Sequence, residues 1–202
     1  MRHFSFRPPL TMSGRRFRGL RGLSGKPFHP PLTDVPITAY LFAAAFDILS
    51  LVLRNSHPSA ARQLYVAGTW LVLGGAAVSV LAALTGWADW RRSSKPGTQA
   101  RRTVNAHAII MLSATALTLV ELGLRALALH GRPHSPLIVA LFSVAVAGLV
   151  SVGATFGGSL VYDYGFNVET AGDHPVWHES ETDVLPGQQH PTLSADQGTA
   201  HG

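Results

Sequence analysis

The sequence predicts an all-α integral membrane protein, a four-helix up-and-down bundle with a basic arm before it and an acidic tail after it. Three observations carry that reading. Charged residues make up 13% of the 202 residues, against about 25% in a soluble domain. Residues 63–88, 103–120 and 133–162 contain no Asp, Glu, Lys or Arg, and runs of about 18 or more can cross a hydrocarbon core about 30 Å thick. The polar/apolar alternation of a membrane β-barrel is absent. A soluble enzyme is thereby excluded. With no cysteine, disulfides, thiolate-bound metals and Cys nucleophiles are excluded as well.

Four spans are expected, at about 35–53, 64–86, 104–124 and 136–162, within a membrane domain covering 29–168. The connections at 54–63 and 130–135 are short, so successive helices run antiparallel as neighbours. Residues 1–28 hold seven Lys/Arg and no acid, interspersed with Pro and Gly, which reads as a flexible arm. Its Arg15-Arg16-Phe17-Arg18 run fits topology and anionic lipid better than nucleic acid. Residues 169–202 are polar, acidic and free of Lys and Arg, and read as disordered. No cleaved signal peptide is expected, and translation could equally begin at Met12.

The basic residues set the expected orientation. The arm carries seven and 91–102 five, against Arg54, Arg62, Arg125 and Arg132 in the other connections. The positive-inside rule then places both termini in the cytoplasm, with Trp87 and Trp90 as interfacial anchors. Arginine far outnumbers lysine and alanine is abundant, a habit of GC-rich bacterial genomes. A bacterial plasma membrane is the expected location.

Ionisable residues inside a membrane cost about 2.5 kcal/mol or more and usually face the bundle interior. Antiparallel packing sorts them into two layers. His29, Asp34, Asp89, His107, Tyr162 and Asp163 fall at one end of the bundle, the cytoplasmic one. Asp47 and Glu121 fall about 20 Å away, at 1.5 Å per residue. Glu121 and Arg125 are an i,i+4 pair on the stripe of His107, Ala114 and Thr118. Asp47 shares a face with Pro36, Tyr40 and Arg54. Two ion pairs, Asp47 with Arg54 and Glu121 with Arg125, would tie the helix ends together. A proton-accepting or substrate-contacting role is the alternative. Small residues mark expected packing faces: Gly75, Ser79, Ala83 and Gly86 on the second helix, and Ala147, Ser151, Thr155 and Gly158 on the fourth. Gly157-Gly158 belongs to packing, since a phosphate loop would need a lysine and a helix start.

His29 and His107 are the candidate ligands. Imidazole is the commonest transition-metal ligand and an axial haem ligand, and Asp89 lies in the same layer. Three readings stand: a metal, one b-type haem, or no cofactor, with His107 bonded to Asp89 or Tyr162 and His29 capping the first helix. No residue is assigned a catalytic role.

These motifs resemble a bacterial membrane family known as domain of unknown function 2231. The matching residues are His29-Pro30-Pro31-Leu32, Pro36 and Asp47, then Thr85-Gly86-Trp87-Ala88-Asp89, then His107, then the run from Gly157 to Gly165. The resemblance implies the four-helix membrane domain. Some members are joined to Rieske domains, which implies a redox setting, with a redox protein or a second copy as partner beside the bilayer. This chain has no cysteine for such a cluster. The resulting expectation is an accessory or redox-associated membrane protein, with a haem-carrying electron-transfer protein as the alternative. A small proton-coupled transporter is a third class, disfavoured because no broken midplane helix or inverted repeat is present.

Overall fold

A computed structural model describes residues 27–167. Residues 1–26 of the expected flexible arm, and the whole of the expected disordered tail at 169–202, lie outside the described residues. Within them the chain forms α1 (His29–Leu53), α2 (Pro58–Ser93), α3 (Gln99–Gly123), a single π-helical turn (Leu124–Ala128) and α4 (Leu137–Tyr162). All four helices are long and apolar enough to cross a membrane. The architecture is the expected all-α bundle.

α1, α2 and α3 start before their apolar windows, because hydropathy marks only the part that lipid covers, whereas backbone hydrogen bonding continues until something stops it. α1 opens with prolines in its first turn, where a missing N–H costs nothing. α2 likewise starts on Pro58 and runs for 36 residues, about 54 Å at 1.5 Å per residue and well beyond a core of about 30 Å. α3 begins where Thr98 accepts a hydrogen bond from the Arg101 amide at 3.1 Å, an N-cap. Gly97 and Gly131 hold φ of +80° and +75° in the connections around α3, a backbone that favours glycine.

α1 packs on α2 and α4, and α3 packs on α4 and, more thinly, on α2. The helices thus form a ring with α1 and α3 on a diagonal. Tyr40, Ala114, Val146 and Val150 fill its centre. Close approach rests on Gly75, where a Cβ would stand 2.7 Å from the Tyr40 ring. Tyr40 can therefore cross to Ser79, with the two hydroxyls 2.8 Å apart. The small-residue face expected on α2 is the packing face.

On α4 the expected stripe is displaced. Ser151 and Thr155 are exposed. The inward face carries Val139, Ser143, Val146, Val150, Gly153 and Leu160 instead. Ser151 and Thr155 donate to the carbonyls four residues back, at 2.8 and 3.1 Å. A hydroxyl satisfied by its own helix can face lipid, so residue size alone does not mark the buried side.

Outward, the bundle presents Trp70, Ile109, Leu112, Leu119 and Val120, an apolar coat suited to lipid. Near the α2–α3 connection Trp87 is 55% exposed with the Arg91 guanidinium 4.9 Å from its ring centre. Trp90 donates to Asn105 at 2.7 Å and carries Arg101 over its ring at 3.8 Å.

Candidate functional site

At the end of the bundle where α1 starts and α4 stops, two histidines meet across the diagonal. The His29 and His107 ring centres lie 6.3 Å apart with the planes nearly perpendicular, at 86°. His29 Nδ1–H donates to the Ala82 carbonyl at 2.9 Å, with Thr85 Oγ1 at 3.3 Å. His107 Nδ1–H donates to the Gly153 carbonyl at 2.8 Å. A carbonyl can only accept, so in each neutral ring Nδ1 carries the hydrogen and Nε2 keeps the lone pair.

Both rings sit on glycines. A Cβ on Gly86 would stand 2.8 Å from His29 Cε1, and one on Gly157 would stand 3.2 Å from His107 Cε1. In each case the glycine follows the accepting carbonyl by one helical turn, Gly86 after Ala82 and Gly157 after Gly153. The same three-part arrangement of histidine, carbonyl and glycine therefore occurs twice. One copy belongs to the α1–α2 hairpin and the other to the α3–α4 hairpin.

The rest of the expected layer divides. Asp89 is buried on α2, one turn beyond Thr85. Tyr162 is 88% exposed, and Asp34 and Asp163 are exposed too. Instead of the expected bond to Asp89 or Tyr162, the His107 Nδ1–H goes to the Gly153 carbonyl. Tyr162 is five residues past Gly157, or about 140° around the helix at 100° per residue, and so points away from His107. His29 does not cap α1 either, since its ring reaches across to α2. Among the described residues no group of three or more His, Asp and Glu could hold a metal ion.

At the opposite end Asp47, Glu121, Arg125 and Ser143 form one buried cluster, 0%, 1%, 3% and 2% exposed. Arg125 donates through Nε and Nη2 to Glu121 Oε1 at 2.9 and 2.6 Å, through Nη2 to Asp47 Oδ2, and through Nη1 to Thr69 at 2.9 Å. Glu121 and Arg125 pair as expected. Asp47 does not pair with Arg54, which is exposed and donates to the Leu51 carbonyl at 3.2 Å. Arg54 lies past the end of α1, facing out, whereas the π turn brings Arg125 into the interior. Single π turns inside α-helices are frequent at functional sites. Nothing in the sequence announces that turn, nor Ser143 as a member, because a lone serine in an apolar helix carries no signature.

No curated protein and no solved structure is detectably similar to the chain. Residues 25–170 match the model of a family described as predicted membrane protein (DUF2231). Four membrane-length helices and the matched span establish that the chain is a multi-pass membrane protein of this family.

Proposed function

We propose that the chain is a redox-associated membrane protein whose His29–His107 pair holds one b-type haem. The observation that carries this reading is the duplicated half-site, two imidazoles from diagonal helices, each fixed through Nδ1–H and each with Nε2 left as the ligating atom. Such a bond from the second ring nitrogen orients a ligating histidine and raises its basicity. The donor count selects among metals. A four-coordinate metal such as zinc would need more protein ligands than two imidazoles, and no third His, Asp or Glu completes a set among the described residues. A haem brings ring nitrogens of its own, so His29 and His107 would suffice to hold it. Bound there, the group would supply one-electron transfer. Ala82, Gly153, Gly86 and Gly157 would hold the imidazoles in place, and apolar helices would keep water away. A separate redox protein is the partner such a site requires.

We place this end at the cytoplasmic face of a bacterial plasma membrane, on the excess of basic residues in 1–28 and 91–102.

The absorption spectrum of detergent-purified protein tests the haem. A Soret band is expected, with one haem per chain by pyridine haemochrome, lost in His29→Ala and in His107→Ala while circular dichroism stays helical. A colourless protein from haem-supplied cells would overturn the reading, as would bound non-haem metal without that band.

A further inference from the structure

We propose that Asp47 and Glu121 together hold one dissociable proton, with the Ser143 hydroxyl between them, as a proton-binding site at the end of the bundle remote from the histidines. Three independent counts lead there.

The first is charge. Two carboxyls face one guanidinium, all nearly out of reach of solvent. The other groups around the cluster are uncharged: Thr69 and Tyr65 on α2, with the Tyr65 ring 5.3 Å from the Arg125 guanidinium, Thr118 on α3 and Ser143 on α4. Arg132, on the α3–α4 connection, is exposed. With both carboxyls ionised the cluster would carry one uncompensated negative charge, which a low-dielectric interior does not tolerate.

The second count is of hydrogens. Ser143 Oγ accepts from Arg125 Nη2 at 3.2 Å and lies 2.6 Å from Asp47 Oδ2 and 2.8 Å from Glu121 Oε1. A hydroxyl has one hydrogen and can donate to only one of these oxygens. A carboxyl proton supplies the other bond.

The third is an oxygen left over. Asp47 Oδ1 is buried without a hydrogen-bond partner among the described residues, 3.5 Å from where a Cβ on Gly68 would stand. A bare carboxylate gathers donors on both oxygens, whereas the carbonyl oxygen of a protonated carboxyl loses far less by going without.

Release of this proton turns the cluster from neutral to singly negative, and its uptake restores balance. The haem reading does not enter, so loss of one leaves the other intact. Infrared spectroscopy of the full-length protein in detergent tests it directly. The expected result at neutral pH is a protonated-carboxyl C=O band that shifts in D2O and persists in Asp89→Asn. It should vanish in both Asp47→Asn and Glu121→Gln, because each leaves a single carboxylate matched to Arg125. Both single variants should melt near the wild type, and the double variant, which strands Arg125, far below it. Absence of the band from wild-type protein would overturn the proposal. So would its survival in both single variants, or singles that melt as low as the double.

Discussion

An imidazole can lie against a helix backbone only where that helix presents no Cβ, and this decides what Gly86 and Gly157 are for. The space at Gly86 is the tighter, 2.8 Å against 3.2 Å. Gly86→Ala should therefore force His29 off the Ala82 carbonyl and cost about 1–3 kcal/mol, as overpacking does. Gly157→Ala should cost less, and Gly148→Ala, with nothing within 4 Å of its Cβ, should not lower the unfolding temperature, since alanine is the better helix former. Equal gains at all three would show that helix propensity, not ring contact, governs these positions. The histidines themselves were legible in the sequence, since a polar ring in an apolar helix stands out. Their partners were not, because backbone carbonyls such as those of Ala82 and Gly153 carry no residue signature. Tyr162 misleads for a related reason. Being at the right depth says nothing of rotation, and five residues turn a side chain most of the way to the opposite face.

Helix ends show a second limit of reading from hydropathy. The Thr98 cap lies outside the apolar window that identified α3, yet it fixes where the helix begins. Thr98→Ala should destabilise by about 1 kcal/mol, seen as faster amide exchange in the first turn of α3. The π turn matters more. It delivers Arg125 to two carboxyls on different helices, so Arg125→Met removes the one cation they share. A loss of about 3–5 kcal/mol is expected, as when one partner of a buried pair is deleted. An unchanged unfolding midpoint would show the ion pairs to be dispensable. The 3.6-residue period predicted the α3 stripe correctly, because Ala114, Thr118 and Glu121 are all buried. It could not show that the turn after Gly123 widens. On α4 small residues occur on every face, and only the bonds of Ser151 and Thr155 to their own helix reveal the lipid side.

For the molecule as a whole, four apolar spans and short connections were sufficient to specify the four-helix bundle. Which end faces the cytoplasm is read from charge, and introduced cysteines can test it without background in a chain that has none. Ser56, Pro96 and Pro133 are exposed positions in the three connections. An impermeant thiol reagent on intact cells should label Ser56→Cys and Pro133→Cys and spare Pro96→Cys. The opposite pattern would invert the orientation. Ser135 would be a poor reporter, being buried with its amide bonded to Ser50 Oγ at 2.8 Å.

The diagonal placement of the histidines bears on how the protein is made. Helices enter the membrane in chain order, so the first hairpin carries His29, its carbonyl and its glycine, and is half of a site. The second half does not exist until α4 has been inserted and Gly153 and Gly157 have reached His107. A ligand bridging the two rings would therefore capture only finished molecules, and would add a clasp at the end of the bundle opposite the Arg125 cluster. Cutting the chain at the turn after Ser93 should leave two fragments that find each other again when co-expressed, through the buried Arg125–Asp47 contact and the packing of α1 on α4, with the ligand tightening the pair.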